Sequence, residues 1–95
     1  MHYVYFIQND VNGKVYIGHT QDLVSRLKQH NGGGRKYTTL KNGSWQYIYV
    51  ELYRSKIDAL ERERKLKYHA KGKQELFKRL KHSMLKPKIG EGSAA

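Results

Sequence analysis

The chain of 95 residues contains no cysteine and one proline, and only 8 of its residues are acidic. Without cysteine there are no disulfides, thiolate zinc sites or cysteine nucleophiles. No run of about 18 apolar residues occurs, so no membrane-spanning helix is expected. The first residues, from Met1 to Val4, carry neither a basic leader nor a cleavable apolar segment, which predicts a cytoplasmic protein. No P-loop, HExxH or GxSxG motif is found. The five histidines (His2, His19, His30, His69 and His82) lack the close pairing of a structural zinc site. The length suits one domain with a thin core, given 38% hydrophobic residues and a mean hydropathy of −0.86. There is no room for the large sheet of a nucleotide-binding enzyme.

What the chain has is positive charge and phenols. Lys and Arg number 19, the net charge is +11, and there are 8 tyrosines. A field of that sign favours a polyanion, and aromatic side chains stack on bases, so nucleic acid is the expected partner. A merely soluble basic protein, or one held on an anionic membrane surface, is the weaker reading. Thirteen of the 19 basic residues fall between Arg54 and Lys88, which predicts salt-dependent, sequence-independent binding.

Aromatic and β-branched residues at 2–8 predict a strand, Asn12-Gly13 a tight turn, and residues 14–19 the return strand. Thr20 is the expected N-cap of a helix over 21–31, stopped by Asn31 and the run Gly32-Gly33-Gly34. Residues 45–53 form the clearest strand, and Ser55 with Asp58 makes a capping box for a helix to about 70. Gly72 is expected to break it, with a third helix over 73–83. The order ββαβαα predicts an α+β domain, a small three-stranded antiparallel sheet flanked by helices, over 1–85, with a flexible tail over 86–95.

Strand alternation sends Val4, Phe6, Val15 and Ile17 one way and Tyr3, Tyr5 and Tyr16 the other. Cross-strand tyrosines are ordinary sheet stabilisers, yet they also put phenols side by side on one face. Gly18 in such a strand marks either a bulge or a close approach. On the first helix Leu23 and Leu27 are expected as a buried pair, with Arg26 and His30 four apart on a neighbouring face. On the second, Ala59, Leu60, Leu66 and Ala70 form the packing stripe, and Glu63 sits within it. Such a carboxylate needs compensation. Lys67 at i+4 supplies it in one reading and a divalent metal in the other. Glu61 lies on the solvated side.

In this order, these residues resemble the GIY-YIG nuclease family. Its first motif appears as Tyr3-Val4-Tyr5, with Tyr3 in place of the family's glycine, and its second is intact as Tyr16-Ile17-Gly18. The stretch from Gly18 to Asn31 is similar to the family's helix with its catalytic arginine, Arg26. Lys36-Tyr37-Thr38 resembles the element that follows in small bacterial members. The stretch from Ala59 to Lys67 resembles the helix that carries the metal-binding glutamate, at Glu63. The resemblance spans residues 2–80 and is to small stand-alone bacterial members and to the nuclease domain of the bacterial excision-repair endonuclease. No asparagine follows Glu63, so the role that some members give to one is not matched here.

The resemblance implies an endonuclease that hydrolyses DNA phosphodiester bonds with one divalent metal, Mg²⁺ or Mn²⁺, in repair or recombination. It implies catalytic roles for Tyr5, Tyr16, Arg26, His30 and Glu63, with Glu63 holding the metal and Arg26 a non-bridging oxygen. Tyr16 or Tyr5 would orient or deprotonate water, assisted by His30. A phenol ionises near pH ~10, so a base would need neighbouring positive charge. Gly18, His19, Lys36, Tyr37, Arg64 and Lys67 are the expected nucleic-acid contacts, with DNA favoured over RNA. The expected assembly is a monomer or weak dimer away from membranes. The rival reading is a non-catalytic DNA- or RNA-binding module on the same fold.

Overall fold

The computed structural model describes residues 1–32 and 43–86. Its elements are β1 (His2–Asn9), β2 (Val15–Thr20), α1 (Leu23–His30), β3 (Trp45–Tyr53), α2 (Lys56–Tyr68) and α3 (Ala70–Arg79). The strands form one antiparallel sheet in the order β2-β1-β3. The expected α+β class and the order ββαβαα are therefore observed. The resemblance's Lys36 and Tyr37 lie outside the described residues, as does the tail beyond Lys86.

The first hairpin turns where the sequence places the turn. Gly13 has φ 76°, its amide donates to the Asn9 carbonyl at 3.0 Å, and the Asn9 side chain accepts from the amides of Val11 and Asn12. The resulting register pairs Tyr5 with Gly18 and Phe6 with Ile17. One face is aliphatic: Val4, Phe6 and Ile17 pack on Ala59, Leu66, Leu76 and Leu80 from α2 and α3 and the turn after it. Tyr5, buried to 3% exposure, faces the other way. At Gly18 the close approach is to a protein side chain. The Tyr5 ring lies across the glycine, and a Cβ placed there would sit 2.6 Å from its Cζ.

The third strand holds the main departure from simple alternation. Phe6 pairs with Tyr49 and Ile7 with Tyr47, so Ile48 is an extra residue in β3. Without this bulge Tyr47 and Tyr49 would share a face. With it, Tyr49 packs edge-on against Phe6 in the core, while Tyr47 meets Tyr5 on the opposite face, ring centroids 5.5 Å apart.

Four sequence expectations need correction. The N-cap of α1 is Asp22, not Thr20: its carboxylate accepts from the Ser25 amide and hydroxyl, and Thr20 accepts from the Asp22 amide one step earlier. Leu23 and Leu27 are only half-buried, because α1 is short, the one helix on its sheet face among the described residues, and buries no residue fully. On α2, Ala59 and Leu66 are buried but Leu60 is exposed, lying about 100° round the helix from Ala59. The helix breaks at His69 (φ −121°, ψ 91°), which makes Ala70 the start of α3 instead of the end of the stripe. Gly72 sits inside α3, and nothing lies within 4 Å of where its Cβ would be. A solvent-facing glycine costs a helix about 1 kcal/mol, which is too little to end one that leads Leu76 and Leu80 into the core.

A polar clamp fixes α2 on the sheet. Arg62 reaches Glu51 of β3 through two parallel bonds, Nε to Oε1 at 2.9 Å and Nη2 to Oε2 at 3.0 Å. Tyr49 and Tyr53 donate to the same carboxylate at 2.7 and 2.6 Å. Burial alone would raise the Glu51 carboxyl. The donors Arg62, Tyr49 and Tyr53 outweigh it and hold the group below its ordinary 4.5. The phenols of Tyr49 and Tyr53 are pushed up to about 12, by burial first and then by bonding to the carboxylate.

Gly18→Ala forces the Tyr5 ring from its place and should destabilise the domain by about 1–3 kcal/mol, measured by denaturant melts. A Glu51 group depressed on folding contributes stability that is fully present above its unfolded value and is lost as pH falls through its folded value. Thermal stability should therefore drop below about pH 4.5, and Glu51→Gln should shrink that acid-side loss while lowering the melting temperature at pH 7.

Candidate active site

Of the five residues expected to do chemistry, His30 touches Tyr5, and Arg26 and Glu63 act on it by their charge. The Tyr5 hydroxyl and His30 Nε2 are 3.0 Å apart, joining the central strand to the last turn of α1. The rings meet edge to face, with centroids at 5.9 Å. Tyr47 donates to the Leu23 carbonyl at 2.6 Å, holding the first turn of α1 on the sheet. At the other end Asn31 bonds both the amide and the carbonyl of Trp45, at 2.7 and 3.2 Å. The helix that presents Arg26 and His30 is therefore tied at both ends to β3, which compensates for its thin apolar contact.

Arg26 lies near enough for its charge to act on Tyr5, His30 and Tyr47. Among the described residues its guanidinium has no ion pair. Glu63 also acts on Tyr5 from α2. Its position, four residues after Ala59 and three before Leu66, sets it beside the buried row, and its side chain is 18% exposed. Lys67 Nζ holds its Oε2 at 3.0 Å, so the i,i+4 ion pair is formed.

These environments set the protonation states. Burial pushes the Tyr5 phenol up, Arg26 pulls it down less strongly, and Glu63 adds to the rise. Tyr5 is therefore a neutral phenol at any ordinary pH. Burial also lowers His30 below 6.5, and the Arg26 charge lowers it further, so the imidazole is neutral at pH 7. Its tautomer decides which partner donates in the bond to Tyr5.

The remaining expected residues divide. Tyr16 is 58% exposed and leans on Trp45, with ring centroids 5.3 Å apart. Trp45 in turn is 6.3 Å from the His30 ring. Gly18 lies beneath Tyr5. His19 falls on the other face of β2, stacked on His2 with Nε2 and Nδ1 3.4 Å apart, and is not part of the Tyr5 cluster. Arg64 is exposed along α2 away from the buried row, and Lys67 is the partner of Glu63. Tyr47 and Trp45 are the site-face residues that sequence reasoning missed. The lone tryptophan at the head of the longest strand was the available signal for one of them.

The donor set limits the metal. Among the described residues no three His, Cys, Asp or Glu side chains converge. A protein cage for calcium or zinc does not fit that arrangement. A magnesium-type ion fits, since it keeps most of its water and takes one or two carboxylates together with substrate phosphate. Glu63, with one oxygen engaged by Lys67, is a carboxylate that could serve such an ion.

Comparison with known proteins places the chain among relatives. The chain is 34% identical over 73 residues to a UPF0213 protein of Staphylococcus aureus, a match covering 76% of this chain and 87% of that one. A UPF0213 protein of Staphylococcus saprophyticus matches with the same identity and coverage. No solved structure matches at comparable stringency. The GIY-YIG catalytic domain matches residues 1–76, which takes in both tyrosine motifs, Arg26, His30 and Glu63, and the chain belongs to the GIY-YIG family.

Proposed function

We propose that the protein is a metal-dependent endonuclease that hydrolyses phosphodiester bonds, with DNA as its substrate. The observation that carries the proposal is the Tyr5–His30 hydrogen bond at 3.0 Å, with a half-buried Arg26 guanidinium that has no ion pair among the described residues and a Glu63 carboxylate both near enough to act on that buried phenol. This constellation is more than a sheet needs for stability. The chain around it carries +11, the sign and size of charge that draws in a phosphate backbone. Among the described residues no helix is long and apolar enough to cross a membrane.

Each side chain has a task. Arg26 binds a non-bridging oxygen as charge builds on the phosphorus, and its fork matches two oxygens at once. Glu63 would hold the metal, which would supply charge to polarise the phosphate and stabilise the leaving oxygen. His30 accepts the proton of the attacking water, because its neutral form is secured at pH 7 by burial and by Arg26. Tyr5 is an unsuitable base, since its phenol is pushed up. Its task is positional: the bond to Nε2 sets the orientation of the His30 ring. Tyr16, the exposed phenol, orients the water from the substrate side.

The Glu63–Lys67 pair keeps a second reading in play, a binding module in which Glu63 is a structural partner. Glu63→Gln separates the two. Under the nuclease reading it lowers Mg²⁺-dependent cleavage by about 10²-fold or more and leaves DNA affinity equal or higher, while Glu61→Gln stays active. Undiminished cleavage by Glu63→Gln would overturn the assignment.

The pH profile tests His30 and Arg26 together. The single-turnover rate should fall only as pH drops below about 6.5, the ordinary imidazole value. Arg26→Ala should reduce the rate by about 10²–10³-fold. Because the Arg26 charge lowers His30, its removal should also move the acidic limb upward in pH. A slower enzyme with an unshifted limb would remove His30 from the proton transfer.

A further inference from the structure

A row of rings leads outward from the buried phenol to the surface. Tyr47 meets Tyr5, Tyr5 meets His30, His30 meets Trp45, and Trp45 meets Tyr16, with centroid separations between 5.3 and 6.3 Å. Tyr16 belongs to β2 and Trp45 to β3, which are not neighbours in the sheet, so the last pair closes across the central strand. The row ends in solvent, with Tyr16 58% exposed and Trp45 half-buried. The Trp45 backbone is held by Asn31 through its amide and carbonyl, which leaves the indole free of any share in that link.

We propose that the Trp45 indole, with the Tyr16 ring tilted 49° against it as a side wall, forms a stacking platform for one unpaired nucleobase beside the scissile phosphate, making single-stranded nucleic acid the preferred substrate. The inference rests on the nuclease reading for what the neighbouring cluster does, but not for the binding itself. A base inside a duplex has both faces covered by its neighbours, so away from duplex ends an unpaired base is the one that can lay a face on these rings. Every base has such a face, so stacking is tolerant of sequence. The positive charge of the chain supplies attraction to the backbone of either form. Charge therefore brings nucleic acid to the surface, and the platform selects the form whose bases are free.

The single tryptophan of the chain makes the test direct. Intrinsic fluorescence of the full protein is followed in EDTA, which stops cleavage, during titration with three oligonucleotides of equal length. These are a thymidine single strand, a blunt duplex, and a single strand of abasic sites that keeps the phosphates. The thymidine strand should quench the emission at least about twofold, while the duplex and the abasic strand bind at low salt with little quenching. Labelled-strand anisotropy should show Trp45→Ala binding the thymidine strand about 5- to 100-fold more weakly, with affinity for the abasic strand unchanged. Trp45→Phe should keep most of the preference. Equal quenching by duplex or abasic strand, or unchanged discrimination by a Trp45→Ala protein that melts normally, would overturn the proposal. The wild-type titration decides by itself if Trp45→Ala does not fold. Since no arm requires cleavage, a platform that binds as expected in a protein that does not cut would defeat the nuclease reading alone.

Discussion

The site depends on the missing side chain at Gly18. Tyr5 occupies the middle of the central strand, where a phenol would ordinarily stand up from the sheet between its cross-strand neighbours. The bare backbone of β2 lets the ring lie down across it, close enough that a Cβ would collide with the ring carbon. That posture is what brings the hydroxyl to His30 and buries the ring to 3% exposure. Burial then sets the electrostatics. The phenol is kept neutral, the imidazole beside it is kept neutral, and Arg26 is left as the charge facing them.

Two ties to β3 deliver the other participants. The Glu51–Arg62 fork fixes how α2 is rotated about its axis, and Glu63 is the next residue along. The Glu63 carboxylate, whose charge acts on Tyr5, is thus placed by the one on the core face of the sheet. On the other face, Tyr47 and Trp45 hold the two ends of α1, one by its hydroxyl and one by its backbone. The helix carrying Arg26 and His30 is anchored more by hydrogen bonds than by apolar packing, which suits a surface that must stay open to a large polyanion.

Sequence patterning reaches the two hairpin strands and the side to which Tyr5 points, and it flags Gly18, because alternation and turn chemistry are local. It also isolates Glu63, since a carboxylate beside a buried row stands out at a spacing of three and four. It does not reach the bulge at Ile48. Six of the nine residues 45–53 are aromatic or β-branched, with an unbroken run over 47–50, so an inserted residue there leaves no mark on the pattern. Alternation alone therefore does not separate Tyr47, on the site face, from Tyr49, in the core. Local rules place the helix break at Gly72 instead of His69 for a related reason. Glycine is the stronger local signal, but the return of Leu76 and Leu80 to the core decides where the chain turns. The Glu51 clamp involves residues 11 apart in sequence on different elements, and no local rule pairs them.

A phenol, a guanidinium and a carboxylate do not by themselves assign the proton acceptor; the environment does. A base must be unprotonated near neutral pH and must gain basicity as charge develops on the phosphate. Tyr5 fails the first requirement, because burial and Glu63 both favour its neutral form and Arg26 offsets them only in part. His30 meets it, since the same burial that keeps the phenol protonated keeps the imidazole unprotonated. Desolvation acts on an acid and a base in opposite directions along the pH scale and toward the same uncharged state. The hydrogen bond between them is consequently one between two neutral groups. It imposes orientation on His30 without fixing a charge there. Among the described residues, the positive charge that acts on both members of the pair is Arg26, so under the proposed function a phosphate drawn to that charge would arrive beside an unprotonated imidazole.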